Sequence, residues 1–411
     1  MKTNFVVLLA SLFLALLGAE GVLRLLGRFS PPAYPPVSRS PALYDSAAGF
    51  GYALWPSRHL HYSYPPARPR RLSVISNSLG FRNRREFDEP DDRCRLLLAG
   101  DSYTFGEGVE ASERFSNLLE TMEPDWRVDN MGMTGYGPDL MEMALERVVP
   151  RARPDLVALL ISFDDFRRVR RWYAGMGFAI PRYRLVGERL ERIPYPRPRP
   201  WDESHLYHAF LRALAREGKL FGPLTDEEWR LNRRILDRVL DLGAEQAFLT
   251  VLAYLPGPWK GAVNDRRREW LGAYAREHAV PFLDLSAAIH SADSDSVFLT
   301  ENSHYSPAGH RIVAEELHGL LRSVLAREAV ESRSSGPRGH GRCARATARG
   351  GREWPSPAAS PKAGASRSRR VFSGGGAGTR EAERGRRSAA PGPPGVRSVR
   401  LLRKHGSVDD S

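Results

Sequence analysis

The chain has 411 residues and a formal net charge of +13, but the excess is unevenly placed. Residues 331–411 hold 18 of the 61 Lys+Arg and 6 of the 48 Asp+Glu, a net of +12, which leaves +1 for the other 330 residues. The basic balance is therefore no argument that the body binds nucleic acid. Two cysteines, Cys94 and Cys343, have neither metal-ligand nor framework spacing, which excludes a disulfide-rich scaffold and a cysteine metal cluster. Cys94 opens an aliphatic run and reads as a buried, inert thiol.

The N-terminal stretch MKTNFVVLLASLFLALLGAEGVLRLLG carries an apolar run of 13 residues from Phe5 to Leu17, short for a membrane span. It reaches 22 residues at Leu26 only by including Glu20 and Arg24, which stand four apart and can pair on one helical face. No small-x-small cleavage site is convincing after the run, and no cysteine follows to take a lipid. Residues 1–27 thus read as an uncleaved signal anchor, with a cleaved signal peptide and a cytosolic buried helix as alternatives. Lys2 before the run and Arg24 and Arg28 after it leave the orientation open.

Residues 28–41 are proline-rich and read as an extended spacer. From 42 to 329 aliphatic runs alternate with amphipathic stretches: RLLLA (Arg95 to Ala99), RVDNM (Arg127 to Met131), DLVALLIS (Asp155 to Ser162), AFLTVLA (Ala247 to Ala253) and VPFLDL (Val280 to Leu285). Continuous aliphatic runs are what strands covered on both faces require, so the pattern predicts an α/β fold on a parallel sheet. Residues 42–92 and the insertion 172–230 interrupt it. The insertion, with AIPRYRLVGERLERIPYPRPRP, reads as too proline-rich for regular structure and as a lid or packing arm. Residues 330–411, dominated by Arg, Gly, Ser, Pro and Ala, predict a disordered tail. An arginine-rich arm for nucleic acid or lipid is the sharper reading of that tail, and an extension without specific function the simpler one.

Ligands of such sheets bind beyond the carboxyl ends of the strands. LLLAGDSYTFGEG (Leu96 to Gly108) puts Ser102 there, ahead of a helix expected from Glu113 to Met122. Gly100 and Gly106 allow a tight turn, so Ser102 can present both its hydroxyl and its backbone N–H to one cavity. A serine capping the next helix is the plain alternative, and the stretch fits neither the P-loop nor the dinucleotide glycine pattern.

LLLAGDSYTFGEG resembles the nucleophile block of the SGNH/GDSL hydrolases, and further blocks follow in that family's order. SNSLGFRN, upstream, resembles the Asn-x-x-Gly-x-Arg segment of its bacterial, often membrane-anchored branch. VDNMGMTGYGPD resembles the glycine block, ISFDDF stands where Gly-x-Asn-Asp belongs, and ENSHYSPAGHRIVAEEL resembles the terminal histidine block. The resemblance, from about residue 42 to about 325, implies a flavodoxin-like three-layer sandwich with a five-stranded parallel sheet, and a metal-free, cofactor-free esterase working through an acyl-serine. It implies Ser102 as nucleophile, His304 as base, and an oxyanion hole of the Ser102 and Gly135 backbone N–H groups with Asp164. Two positions depart from the family pattern. Asp164 stands where an asparagine donor is usual, and Glu301 where the triad's acid is usually aspartate.

His310 reads as a packing residue of the terminal helix, and His59, His61, His205 and His208 as solvated or packed. Asp101 reads as the brace of the serine turn through backbone N–H groups. Arg167, Arg168, Arg170 and Arg171 read as a solvated face, with a clamp for an anionic substrate as the sharper alternative. Trp172 to Trp201 has the aromatic content to shape a pocket at the mouth. The expected substrate is an ester, an O-acetylated cell-surface glycan by analogy, reached by a membrane-anchored, extracytoplasmic enzyme. An O-acyltransferase and a degenerate surface protein that keeps only the fold are the alternatives.

Overall fold

The computed structural model describes residues 2–29, 43–44, 50–64, 70–170, 173–174, 178–193, 200–216, 223–258, 262–299, 303–335 and 342–343. The spacer, apart from its first two residues, and the tail beyond Cys343 lie outside the described residues.

An apolar helix, α1 (Lys2–Leu25), comes first. Two antiparallel pairs follow, β1 (Leu43–Tyr44) with β2 (Ala53–Leu54) and β3 (His59–Tyr64) with β4 (Arg70–Ile75). The body then runs β5 (Cys94–Gly100), α2 (Ser102–Phe105), α3 (Phe115–Met122), β6 (Trp126–Asn130), α4 (Pro138–Ala152) and β7 (Leu156–Ser162). After the small pair β8 (Tyr173–Ala174) and β9 (Phe178–Ala179) come the hairpin β10 (Arg182–Val186) and β11 (Arg189–Ile193) and the helices α5 (His205–Arg216) and α6 (Asp226–Gln246). The chain closes with β12 (Leu249–Leu255), α7 (Ala262–Glu277), β13 (Phe282–Asp284), α8 (Ser286–Ser291), α9 (Ser294–Val297) and α10 (Pro307–Ser335).

Five parallel strands form the central sheet in the order β6-β5-β7-β12-β13. Every residue of β5 and β7 is buried, which is why both read as unbroken aliphatic runs. Alternate side chains feed two cores. Leu97, Ala99, Val157 and Leu159 meet Val148, Ile235 and Val239 of α4 and α6 on one face. Leu96, Leu98, Ala158 and Leu160 meet Phe115, Leu119, Val313 and Leu317 of α3 and α10 on the other. The expected three-layer α/β sandwich is thus the fold. Because the chain moves outward from β5 to β6 and then crosses to β7, the winding reverses between β5 and β7, and a crevice opens at their carboxyl ends.

Three expectations need correction. The insertion 172–230 carries regular structure despite its prolines. Residues 182–193 form a hairpin whose two-residue turn begins at Gly187, at φ +63°, and α5 follows. The last helix runs to Ser335, past the boundary drawn at 329: Val313, Leu317, Leu321 and Leu325 seat it on the sheet, and no helix breaker follows them before Gly336 and Pro337. Nor is Cys94 a free thiol: it forms a disulfide with Cys343, with Cα atoms 4.5 Å apart. Beside it, Arg342 ion-pairs with the buried Asp155 at 3.2 Å, so the start of the tail is fastened to the N-terminal ends of β5 and β7. The two sulfurs lie near the Asp155 carboxylate, but oxidised cysteines offer a metal no thiolate.

The bridge closes a loop of 249 residues, and cross-links of that length stabilise chiefly by restricting the unfolded chain. Reducing it, or substituting Cys94→Ala and Cys343→Ala together, is expected to lower stability by about 2–5 kcal/mol in a urea titration while leaving ester turnover unchanged in native buffer. An unchanged midpoint would mean that the bridge constrains nothing in the folded body.

Candidate active site

Ser102 begins α2 immediately beyond β5. The turn is possible only because Gly100 lacks a Cβ, which would lie 2.1 Å from Thr104 Oγ1 and 2.9 Å from the Leu160 carbonyl of β7. Asp101 braces it as expected: one carboxylate oxygen accepts the Tyr103 N–H at 2.9 Å and the other the Ser162 hydroxyl at 3.0 Å. Arg82, in the Asn-x-x-Gly-x-Arg segment, closes the far end. Its buried guanidinium donates to the carbonyls of Gly106 at 2.7 Å and Val109 at 2.9 Å. Asn77 folds that segment by accepting the N–H groups of Leu79 and Phe81, and Gly80 takes φ +79° against the Leu54 carbonyl.

His304 reaches Ser102 from the opposite end of the sequence: its Nε2 stands 2.8 Å from Ser102 Oγ. The residue after the serine helps set that distance. Tyr103 donates its hydroxyl to the Ser303 carbonyl at 2.7 Å and packs its ring against both His304 and Tyr305. Tyr305 is in turn held by the Pro256 carbonyl at 2.8 Å. A serine flanked by Asp101 and Tyr103 is therefore a hydroxyl between two braces, one for its own turn and one for the histidine loop.

The glycine block forms the third wall. Asn130 donates to the Thr104 carbonyl at 2.7 Å and accepts the Gly132 N–H at 2.8 Å, and a Cβ on Gly132 would meet the Phe105 nitrogen at 2.1 Å. Gly135 follows at φ +85°. Its predecessor Thr134 is fixed on two sides, donating to Glu107 at 2.6 Å and accepting from the Tyr52 hydroxyl at 2.6 Å. The segment before β5 thus braces this loop as well as the serine turn.

Beyond β7 lies a buried ionic cluster. Arg168 Nη1 is 2.5 Å from Asp165 and 3.0 Å from Asp101 and also donates to the Tyr136 carbonyl, while its Nε lies 3.6 Å from Asp164. Arg168 is thus no part of a solvated face, correcting that expectation. Asp165 accepts the Ser162 N–H at 2.7 Å, and its carboxyl is pushed well up by burial and by the Asp101 charge. Asp164 pairs with Arg167 as well as Arg168, so its charge is compensated.

Of the predicted residues, Ser102 and His304 come together. Gly135 and Asp164 lie on the loops that follow β6 and β7. Glu301, and with it Arg171 and Trp172, lies outside the described residues, and Trp201 is exposed. His310 packs on Phe115 and Tyr305, and burial holds it down to about 3. His205 and His208 are buried and bonded to backbone carbonyls, whereas His59 and His61 are strand residues in mutual ring contact. Sequence reading passed over Arg82 and Glu107. Glu107 shares the nucleophile block, donates its N–H to the Ser102 carbonyl and biases His304 toward its charged form.

Burial outweighs that bias and holds His304 below the ordinary histidine value of 6.5. A base must be neutral to accept a proton, so the acid limb of kcat/KM is expected below pH 6.5, with turnover rising as pH climbs through it. Glu107→Gln removes an anion that favours the imidazolium, and should move that limb lower still. A pH–rate profile with its acid limb above 6.5 would contradict the assignment.

A serine hydroxyl bonded to an imidazole beyond the carboxyl ends of a doubly wound parallel sheet is an arrangement suited to acyl-ester cleavage. The family model for the GDSL-like Lipase/Acylhydrolase family matches residues 98–312, just over half of the chain. The chain belongs to that family and is a hydrolase acting on esters. No curated protein matches its sequence. Similar solved structures include a member of the lipolytic G-D-S-L family from Veillonella parvula, 15% identical over 54% of this chain and 94% of that one, with a TM-score of 0.36. A psychrotrophic esterase from Pseudoalteromonas sp. is 12% identical over 57% of this chain and 99% of that one, at 0.38. A catalytic mutant of an acetylxylan esterase from Geobacillus stearothermophilus is 18% identical over 55% and 93%, at 0.35.

Proposed function

We propose that the enzyme removes acyl groups, acetyl in particular, from hydroxyls of a cell-surface glycan, anchored by α1 with its body outside the cytoplasm. The 2.8 Å contact between Ser102 Oγ and His304 Nε2 is the observation that carries the chemistry. Nε2 takes the serine proton as Oγ attacks the ester carbonyl, and returns it to the alcohol as the C–O bond breaks. Water, deprotonated by the same nitrogen, then attacks acyl-Ser102 and frees the acid. The developing oxyanion is held by the N–H groups of Ser102 and Gly135. Asp164, paired to arginines, adds no net negative charge there, and Glu301 keeps the role of orienting acid. The disulfide supports the location, since such bridges persist in oxidising compartments.

The test is acetate release by the full chain in detergent from O-acetylated polysaccharides, beside p-nitrophenyl acetate and octanoate. Acetate released from polysaccharide by the wild type and not by Ser102→Ala supports the reading. Cleavage confined to octanoate would overturn the substrate, and transfer of acetyl to added sugar in preference to water would make the enzyme an acyltransferase. Asp164→Asn replaces an acceptor-only group by an amide donor, and is expected to raise kcat by about 10-fold, part of what one such donor is worth. A fall in kcat would show instead that the carboxylate is needed against Arg167.

A further inference from the structure

The flanks of α1 are uncovered: no part of the window Asn4–Leu25 is buried, and Leu8, Phe13 and Leu14 stand open. Its single acidic residue is nevertheless built into the body. Glu20 accepts the backbone N–H groups of His205 at 3.0 Å and Leu206 at 2.8 Å, the Ser204 hydroxyl at 2.9 Å and Arg24 Nε at 2.6 Å. Arg24 donates to the Glu203 carbonyl at 3.0 Å, and His205 Nδ1 to the Arg28 carbonyl at 2.6 Å. A carboxylate from a helix nearly two hundred residues away thus caps the N-terminus of α5, neutralising orphan donors and meeting the positive end of the helix dipole.

This junction fixes where α5 lies. From Asn4 to Glu20 a helix rises roughly 24 Å, close to the hydrocarbon thickness of a bilayer, so Glu20 stands where an inserted α1 would emerge among headgroups. The sequence of α5, HLYHAFLRALAR, contains no acidic residue and places Leu206 and Phe210 one turn apart. Phe210 is 58% exposed, beside a helix whose own sides are apolar and uncovered. We propose that α5 is an interfacial helix, pinned by Glu20 to the point where α1 leaves the membrane, with Phe210 in the headgroup layer of an anionic lipid surface. The proposal rests on the anchor reading of α1. It gives the insertion a role as the enzyme's foot on the bilayer, and Glu20 one as the joint that keeps it there.

Because both native cysteines are paired, an introduced thiol can be labelled alone. Full-length Phe210→Cys, carrying an environment-sensitive fluorophore in phosphatidylcholine–phosphatidylglycerol vesicles, should emit to the blue and be quenched by lipid with a doxyl group high on its chain. A label at Glu245→Cys, on the exposed end of α6, should not respond. Adding Glu20→Leu should abolish the quenching at 210 while the chain stays with the vesicles. A chain retained by carbonate-washed vesicles whose 210 label is unquenched would overturn the interfacial helix and leave the anchor standing. A chain that washes off, or whose intact mass shows α1 removed, would overturn both.

Discussion

Ser102→Ala is expected to lower kcat/KM for any acyl ester by about 10⁴–10⁶-fold, and to abolish covalent labelling by a fluorophosphonate. Only the hydroxyl is lost. Its partners are His304 Nε2 at 2.8 Å and, more distantly, Asp101 at 3.5 Å, so the fold and melting temperature should hold. His304→Ala should fall as far, because the serine proton then loses the imidazole at 2.8 Å and keeps only the weakly placed Asp101 carboxylate at 3.5 Å. The double variant should be no worse than either single one, since nucleophile and base act as a unit. A folded Ser102→Ala protein that keeps more than about a hundredth of the activity would put the chemistry elsewhere.

Arg168→Met should be the most damaging single change to stability, costing about 3–5 kcal/mol, as breaking a buried ion pair does. One guanidinium, 12% exposed at its side chain, stands between the fully buried carboxylates of Asp101 and Asp165. Without it those carboxylates face each other across Ser162, held by its N–H and hydroxyl and by the Tyr103 N–H, with no cation between them. Asp165 already binds its proton more tightly than an unfolded aspartate would, so the folded variant gains protonated carboxyl as pH falls. The deficit against wild type is therefore expected to be full at neutral pH and to shrink on acidification, as chemical denaturation at several pH values would reveal. Arg168→Lys keeps the charge but not the planar guanidinium, whose Nη1 reaches both acids while its Nε faces Asp164, and should lie between. A methionine variant as stable as wild type at neutral pH would mean the two acids share a proton and need no counter-ion.

Much of the site was legible because its chemistry is local. Gly100, Ser102 and Gly106 lie within one turn, and a serine that ends a doubly buried strand has few other uses. His304 was found through the block that surrounds it, not from its own spacing. Arg168 was misread because in FRRVRR the arginines look alike. Only the distance to Asp101, 67 residues earlier, sets one apart. Glu107 looked like one more polar residue of a loop until Thr134 and His304 were placed around it. The insertion was misjudged from its prolines, which flank rather than interrupt the hairpin.

By itself the sequence determined the layers of the fold, the order of its strands along the chain, the apolar N-terminal helix and the placing of Ser102 in a glycine-flanked turn at the carboxyl end of a strand. These follow from periodicity, turn chemistry and short-range sterics, which act over a few residues. Only the tertiary structure decided that Cys94 meets Cys343, that Arg168 bridges Asp101 and Asp165, and that Glu20 caps α5. Each of these contacts joins distant segments whose local patterns fit several partners. Which pairing forms is settled by the winding of the sheet and the desolvation it imposes, and that is a property of the whole chain.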